Sequence, residues 1–308
     1  MAARVDAFAA ARLVTGTGLL ALASAWDVRT RRVPDPLWIA LGAAGLVLLA
    51  AESVLSGAGL EAYALAGGTA ILFAAVFFGD PLFDEHGFRL RPARLGAFGL
   101  AGVLVGWGVV AARDLGDPRA ASFWQLLTMP ALVLVYQTLY QVGLLHGGAD
   151  AKALIALTLL VPTYPDAFPW PLLAIDPLLE PAMRILFPFS FVAFVDAAVL
   201  YLTFPVGFLA VNTARGDLRW PQALFGFRAD LDRLPKHVWL MERIDDRGEH
   251  VLVLMPRRRS DPEEQARKLR DAGIHRAWVQ PKVPFMVPLF AGFLAAFLVG
   301  NFLAVLFG

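Results

Sequence analysis

Two acidic residues in apolar surroundings are the side chains of this sequence best suited to chemistry. Asp150 follows the small residues Gly147, Gly148 and Ala149 at the junction of two apolar segments. Asp27 lies at the end of the first apolar segment. An aspartate inside a bilayer costs roughly 2.5 to 3.5 kcal/mol and less near the interface, so an acid retained there is a candidate functional residue. These two carboxylates are therefore the candidate site.

The composition predicts an α-helical polytopic membrane protein. Of the 308 residues, 58% are hydrophobic and 17% are charged, and the mean hydropathy is +0.60. A net charge of +1 without a basic tail argues against nucleic acid as a partner. The absence of cysteine excludes disulfides, thiol chemistry and cysteine zinc sites. We expect neither a metal nor a cofactor.

The apolar segments predict about eight transmembrane helices. They cover residues 8–26, 37–56, 61–79, 96–112, 124–145, 151–162, 185–212 and 284–307. More arginines follow the first segment than precede it, which favours a retained helix over a cleaved signal peptide and an N-terminus outside. Counting alternate crossings puts Asp27 and Asp150 on the same, arginine-rich inner face, and the C-terminus outside.

The one long polar segment predicts a small cytoplasmic α+β domain at residues 214–282. It separates a transmembrane catalytic core at 1–213 from a C-terminal transmembrane helix at 283–308. The pattern of the polar segment predicts ββαβ, with strands at 238–244, 250–255 and 274–279 and a helix that starts at a capping box, Ser260 to Glu263.

If the predicted topology brings Asp27 and Asp150 together, the two carboxylates cannot both ionise easily, and they titrate as a unit. One carboxylate can then remove a proton from water. The protonated partner can polarise a peptide carbonyl and later protonate the leaving amine, which hydrolyses a peptide bond without a metal. Gly147, Gly148 and Ala149 carry little bulk, which suits the close approach of an extended peptide.

The residues around both aspartates resemble the motifs of a known family. The segment 147–154, with Lys152 two residues after Asp150, is similar to the GxGD-x-K-L motif of type IV prepilin peptidases, including archaeal preflagellin peptidases. The segment 26–35 resembles the other signature of that family, an aspartate followed about seven residues later by a proline. Segments 212–217 and 278–285 look like the archaeal branch.

The resemblance implies an integral membrane aspartic endopeptidase in the cell membrane, with Asp27 and Asp150 as its catalytic pair. Its partners would be membrane lipid and the precursors of pilin-like proteins or archaellins, whose class III signal peptides it would cut at the cytoplasmic face. Gly147, Gly148, Ala149 and Lys152 would support the motif. Ala149 departs from the glycine of the family pattern.

Simpler roles remain open for several of these residues. Asp27 could form only a surface ion pair with the neighbouring arginines. Asp150 could cap a helix that starts at Ala151. Lys152 could anchor the chain at the inner face or orient substrate. His146 is interpreted as a structural hydrogen-bonding residue.

Two other functional classes remain open. In a proton-coupled secondary transporter, Asp27, Asp150 and Asp196 would form a relay; otherwise Asp196 is expected to be a hydrogen-bonded interior residue. In an assembly or scaffold protein, none of these acids would affect the length of a substrate chain. The run Arg257–Arg259 could bind anionic lipid or form a solvated turn.

Overall fold

The computed structural model describes residues 7–78, 83–84, 87–88, 92–114, 116–145, 147–165, 170–173, 175–245, 247–254 and 261–307. Its contacts divide the chain into two compact units. Unit 1 comprises Met1–Ala197 and Phe285–Gly308, and unit 2 comprises Ala198–Pro284. The second half of the predicted seventh span thus groups with the polar segment.

The described residues form twelve α-helices and seven short strands. The helices are α1 Ala7–Thr30, α2 Asp35–Ser56, α3 Leu60–Phe77, α4 Pro92–Ala111, α5 Asp117–Gln141, α6 Gly148–Leu160, α7 Glu180–Leu186, α8 Phe189–Tyr201, α9 Thr203–Arg215, α10 Pro262–Asp271, α11 Met286–Leu298 and α12 Phe302–Phe307. The strands are β1 Phe83–Asp84, β2 Gly87–Phe88, β3 Phe227–Asp230, β4 Val238–Leu240, β5 Glu242–Ile244, β6 His250–Leu252 and β7 Arg276–Pro281.

Among the described helices, five are long and apolar enough to cross a membrane. Four of them are α1 to α4, and the fifth runs from Phe189 to Arg215 through α8 and α9. The chain thus has the helices of a multi-pass membrane protein, as predicted. Five is fewer than the predicted count of about eight, when only the length and composition of the described helices are considered.

Helix α6 shows why the count differs. It has 13 residues, which at about 1.5 Å per residue gives roughly 20 Å, less than the roughly 30 Å of a bilayer core. Apart from Lys152, its side chains from Ala151 to Leu160 are buried inside the unit. A buried core helix and a short membrane span have the same apolar composition. The predicted last span is also divided, because Gly300 lies between α11 and α12 with a φ of +109°.

Close packing around α6 fixes its position in unit 1. A Cβ added to Gly45 of α2 would lie 2.3 Å from the main-chain oxygen of Leu159. A Cβ added to Gly16 of α1 would overlap the ring of Phe293 and lie 3.0 Å from Leu160 Cδ2. At Gly45, α2 therefore approaches the main chain of α6 more closely than a larger residue would allow. At Gly16, α1 packs closely against side chains of α11 and α6.

Unit 2 contains the small sheet that the sequence predicts. Three antiparallel strands pair in the order β3, β7, β4, and β5 pairs with β6 in a separate hairpin. The predicted strand at 238–244 is divided at Met241, which is buried and donates its N–H to Trp278 O. Strand β3 was not predicted. Helix α10 is capped by Asp261, which accepts from Glu263 N; Ser260 lies outside the described residues.

Candidate active site

Five helix ends meet at one end of unit 1. Lys152 Nζ of α6 lies 2.6 Å from Asp35 Oδ1 at the start of α2, and 5.8 Å from the ring centre of Phe77 at the end of α3. Asp27 Oδ2, near the end of α1, accepts a hydrogen bond of 3.2 Å from Met286 N at the start of α11. Because only residues 31–34 separate α1 from α2, both contacts belong to this end.

The contacts also fix the directions of the helices. Asp35 and Gly45 of α2 contact Lys152 and Leu159 of α6, respectively. The order of contacts is the same along both helices, so α2 and α6 run parallel. Helix α1 runs the opposite way, because its short link turns the chain back and its far half is joined to α2 by an ion pair, Arg12 to Glu52.

Asp27 and Asp150 lie at nearly the same depth. Gly16 of α1 and Leu160 of α6 are in contact. Asp27 follows Gly16 by eleven residues, and Asp150 precedes Leu160 by ten residues. At about 1.5 Å per helical residue, the two aspartates are therefore about 16 and 15 Å from that contact, in the same direction along antiparallel helices.

Asp27 is half-buried in the last turn of α1. The nearby Arg31 donates through its main-chain N and its Nη1 to the main-chain oxygen of Asp27, at 2.9 and 3.2 Å. It thereby caps the end of α1. The Asp27 carboxylate accepts a hydrogen bond from the main-chain N of Met286, the first residue of α11, where free N–H groups favour a negative charge.

Asp150 is also half-buried, in the first turn of α6. The helix begins at Gly148 with Gly147 as its N-cap, so Asp150 is the third helical residue and not the cap of a helix that starts at Ala151. A Cβ added to Gly147 would lie 2.1 Å from Asp150 Oδ2. The carboxylate therefore folds back onto Gly147, and this close approach requires glycine.

The other motif residues surround this turn. A Cβ added to Gly148 would lie 3.3 Å from the hydroxyl oxygen of Tyr140, so Gly148 faces the end of α5. Ala149 is half-buried as the second residue of α6. Lys152 is paired with Asp35, whose side chain remains 55% exposed. The predicted role of His146 lies outside the described residues, as does that of Arg257–Arg259.

Asp196 is separate from this group of helix ends. It is half-buried in α8, where a Cβ added to Gly292 of α11 would lie 3.2 Å from Asp196 Cβ. Gly292 lies six residues along α11 from Met286, about 9 Å at 1.5 Å per residue. Asp196 therefore packs at another level of α11 than Asp27.

Three contributors to the site were not predicted as such. Asp35 was predicted only as the last residue of a motif. Its charge is opposite to that of Lys152, and both lie at helix starts on the predicted inner face, which is the signal that could have paired them. Met286 and Ser24, whose hydroxyl donates to Met286 O at 3.0 Å, are separated from each other by 262 residues. No local pattern reveals such a contact.

The described residues thus include two half-buried carboxylates, each beside a helix N-terminus, and helix geometry puts them at similar levels of unit 1. Such groups can take up or release protons and bind the polar atoms of a reacting bond. No group of three or more histidine, aspartate or glutamate side chains able to hold a metal ion is found within the described ranges.

Comparison with known families gives independent information. Residues 219–302 match the family model described as Archaeal Peptidase A24 C-terminus Type II. The match supports the prepilin/preflagellin peptidase family. The predicted resemblance to this family is therefore confirmed. No curated protein matches the chain significantly.

In this chain, the region matched by the family model and the predicted motifs do not overlap. Residues 219–302 contain neither Asp27 nor Asp150. The match thus supports the family without using the motifs that first suggested it, and it indicates a protease. The roles of the two aspartates depend on the geometry of unit 1 and are proposals.

Proposed function

We propose that this chain is an integral membrane aspartic endopeptidase that removes class III signal peptides from type IV pilin-like or archaellin precursors. Asp27 and Asp150 would be its catalytic residues. The proposal is carried by helix geometry, which puts these two acids at similar distances from the contact of Gly16 with Leu160, at the end of unit 1 where the starts of α2, α6 and α11 meet. The match to a peptidase family supports proteolysis as the reaction.

The proposed reaction needs two carboxylates in different protonation states. One takes a proton from water, whose oxygen then attacks the carbonyl carbon of the scissile peptide bond. The other, protonated at first, donates a hydrogen bond to the carbonyl oxygen. When the tetrahedral intermediate collapses, the C–N bond breaks and the leaving amine takes up a proton from the acid.

The surroundings of the pair suit an extended peptide. Gly147 lies next to the Asp150 carboxylate, so no side chain of that residue would obstruct the approach of a substrate. In a precursor, the basic segment before the cut would remain in the cytoplasm while the apolar segment after it enters the bilayer. We propose accordingly that the site faces the cytoplasm, with the polar segment of unit 2 on the same side.

The proposal is tested with the purified full-length protein and a pilin-like precursor that carries a basic leader before an apolar helix. Asp27→Asn and Asp150→Asn should each lower the cleavage rate by at least about 10²-fold, the usual contribution of a general acid or base. Both variants should keep the thermal stability of the parent. Mass spectrometry of the products locates the cut at the end of the basic leader.

Asp35→Asn and Asp196→Asn are matched controls, because they make the same chemical change at another acid of the membrane-embedded helices. Both should retain cleavage within about fivefold, as expected for a residue that only pairs or packs. Full processing of the precursor by Asp27→Asn or Asp150→Asn would refute the assignment. No observation in the structure or the family match supports the alternative of a proton-coupled transporter.

A further inference from the structure

Two side chains of helix α1 bind the main chain of one residue, Met286, at the start of α11. Ser24 Oγ donates to the main-chain oxygen of Met286 at 3.0 Å, and Asp27 Oδ2 accepts from Met286 N at 3.2 Å. Ser24 and Asp27 are three residues apart, so they lie on the same face of α1. The main chain of Met286 is thereby held at both its donor and its acceptor.

The geometry agrees with the directions of the two helices. The N–H of Met286 points toward the start of α11 and its C=O points along the helix. Gly16 of α1 contacts Phe293 further along α11, so the two helices run antiparallel. Ser24, which precedes Asp27, therefore meets the carbonyl, and Asp27 meets the N–H.

Met286 and Ser24 are both buried. Met286 is 1% exposed and Ser24 is 8% exposed. Loss of the Ser24 hydroxyl would remove one hydrogen bond from this buried carbonyl. We expect the Ser24 hydrogen bond to hold Met286, and with it the start of α11, in a fixed position against α1.

We propose that Ser24 is a positioning residue for Asp27, acting through the main chain of Met286. The inference rests on the proposed function of Asp27. By fixing Met286, Ser24 fixes the N–H that binds Asp27 Oδ2. This orients the carboxylate plane, with Oδ2 toward α11 and Oδ1 as the oxygen left for water or substrate. Ser24 itself touches neither.

The test compares Ser24→Ala with Ser24→Thr, which keeps the hydroxyl. Ser24→Ala should lower kcat by about threefold to tenfold, the range that corresponds to one net hydrogen bond, and should change KM by less than about twofold. It should also displace the acidic limb of the pH–rate profile, because the donor to Asp27 is no longer held. Ser24→Thr should restore both kcat and the profile.

Ser53→Ala is the matched control, since Ser53 is a serine of α2 that is buried to the same degree, with 7% exposure. It should leave kcat and the pH–rate profile unchanged. Parental kcat and profile in Ser24→Ala would overturn the inference. So would equal losses in Ser24→Ala and Ser53→Ala with unchanged profiles, because these indicate helix packing alone.

If Ser24→Ala does not accumulate as folded protein, Ser24→Cys serves instead, because a thiol is a weaker donor of similar size. A lowered kcat with a displaced profile supports the inference, and parental values overturn it. Asp27→Asn distinguishes this failure from failure of the proposed function. Parental cleavage by Asp27→Asn refutes the catalytic role proposed for Asp27, whereas parental behaviour of Ser24→Ala beside an inactive Asp27→Asn refutes only the role of Ser24.

Discussion

Asp150 and Asp27 are held in place by different kinds of contact. The Asp150 carboxylate folds onto Gly147, only three residues earlier in the chain. Asp27 is held by Met286, which is 259 residues away. The first arrangement is local and involves residues of one short motif. The second exists only after α1 and α11 have packed together.

The two environments nevertheless share one electrostatic feature. Asp150 lies in the first turn of its own helix α6, and Asp27 contacts the first residue of α11. The N–H groups at a helix start favour a nearby negative charge. One acid therefore receives this stabilisation from its own sequence neighbours, and the other depends on the position of a distant helix.

The strongest test of this comparison is Gly147→Ala, which changes the local arrangement alone. The new Cβ would overlap the Asp150 carboxylate, so the carboxylate must rotate away from its position. A displacement of about 1 Å at a reacting group can lower the rate by about 10²-fold. We expect that loss in cleavage assays, with little change in thermal stability, because the overlapped atoms belong to one rotatable side chain.

Gly148→Ala is the control for that change, because it adds the same methyl group one residue later. There the nearest atom is the hydroxyl of Tyr140, 3.3 Å from the added Cβ, and a small shift of that ring removes the contact. Cleavage should remain within about threefold of the parent, since a small movement of the Tyr140 side chain costs little free energy. Equal activities of Gly147→Ala and Gly148→Ala would show that Asp150 does not depend on Gly147.

A smaller effect is expected from the ion pair that joins the two motifs. Lys152 and Asp35 are 31% and 55% exposed, and exposed pairs contribute about 0.2 to 1 kcal/mol. Lys152→Ala and Asp35→Ala should each lower cleavage by less than about fivefold. The double variant Lys152→Asp with Asp35→Lys should recover part of the activity that either single charge reversal removes.

That exchange distinguishes two roles for Lys152. If Lys152 orients substrate directly, the exchanged pair should be as inactive as Lys152→Asp alone. If it holds α6 against α2, the exchange should restore activity, because the attraction is the same in either order. Cleavage by the exchanged variant, compared with both single reversals in one assay, separates the two roles.

The sequence predicted the long helices well because length and hydropathy determine them. The predicted spans at 37–56 and 61–79 correspond to α2 Asp35–Ser56 and α3 Leu60–Phe77. The predicted span at 151–162 corresponds to α6, which is shorter than a bilayer core and buried in unit 1; composition alone does not show this, because burial in protein and exposure to lipid select the same side chains. The sequence also missed β3, which has four residues and pairs with the distant β7.

The site divides in the same way. Asp150, Gly147 and Lys152 were identified from one motif, because their relation is helical and local. Asp27 was identified from topology and a second motif. The contact of Ser24 with Met286 could not be predicted, because the two residues are 262 positions apart in the sequence. Neither residue type indicates such a contact before the positions of α1 and α11 are known.

The smallest expected effect concerns Ala149, the motif position that departs from the family pattern. Ala149 is the second residue of α6, where Ala149→Gly would restore the family glycine at a cost of at most about 1 kcal/mol in helix stability. Because the Asp150 carboxylate folds onto Gly147, which this change leaves in place, cleavage should stay within about twofold of the parent or rise slightly. A sharp loss in the same assay would mean that the methyl group of Ala149 helps to hold the turn, and that the local arrangement of Asp150 extends beyond its contact with Gly147.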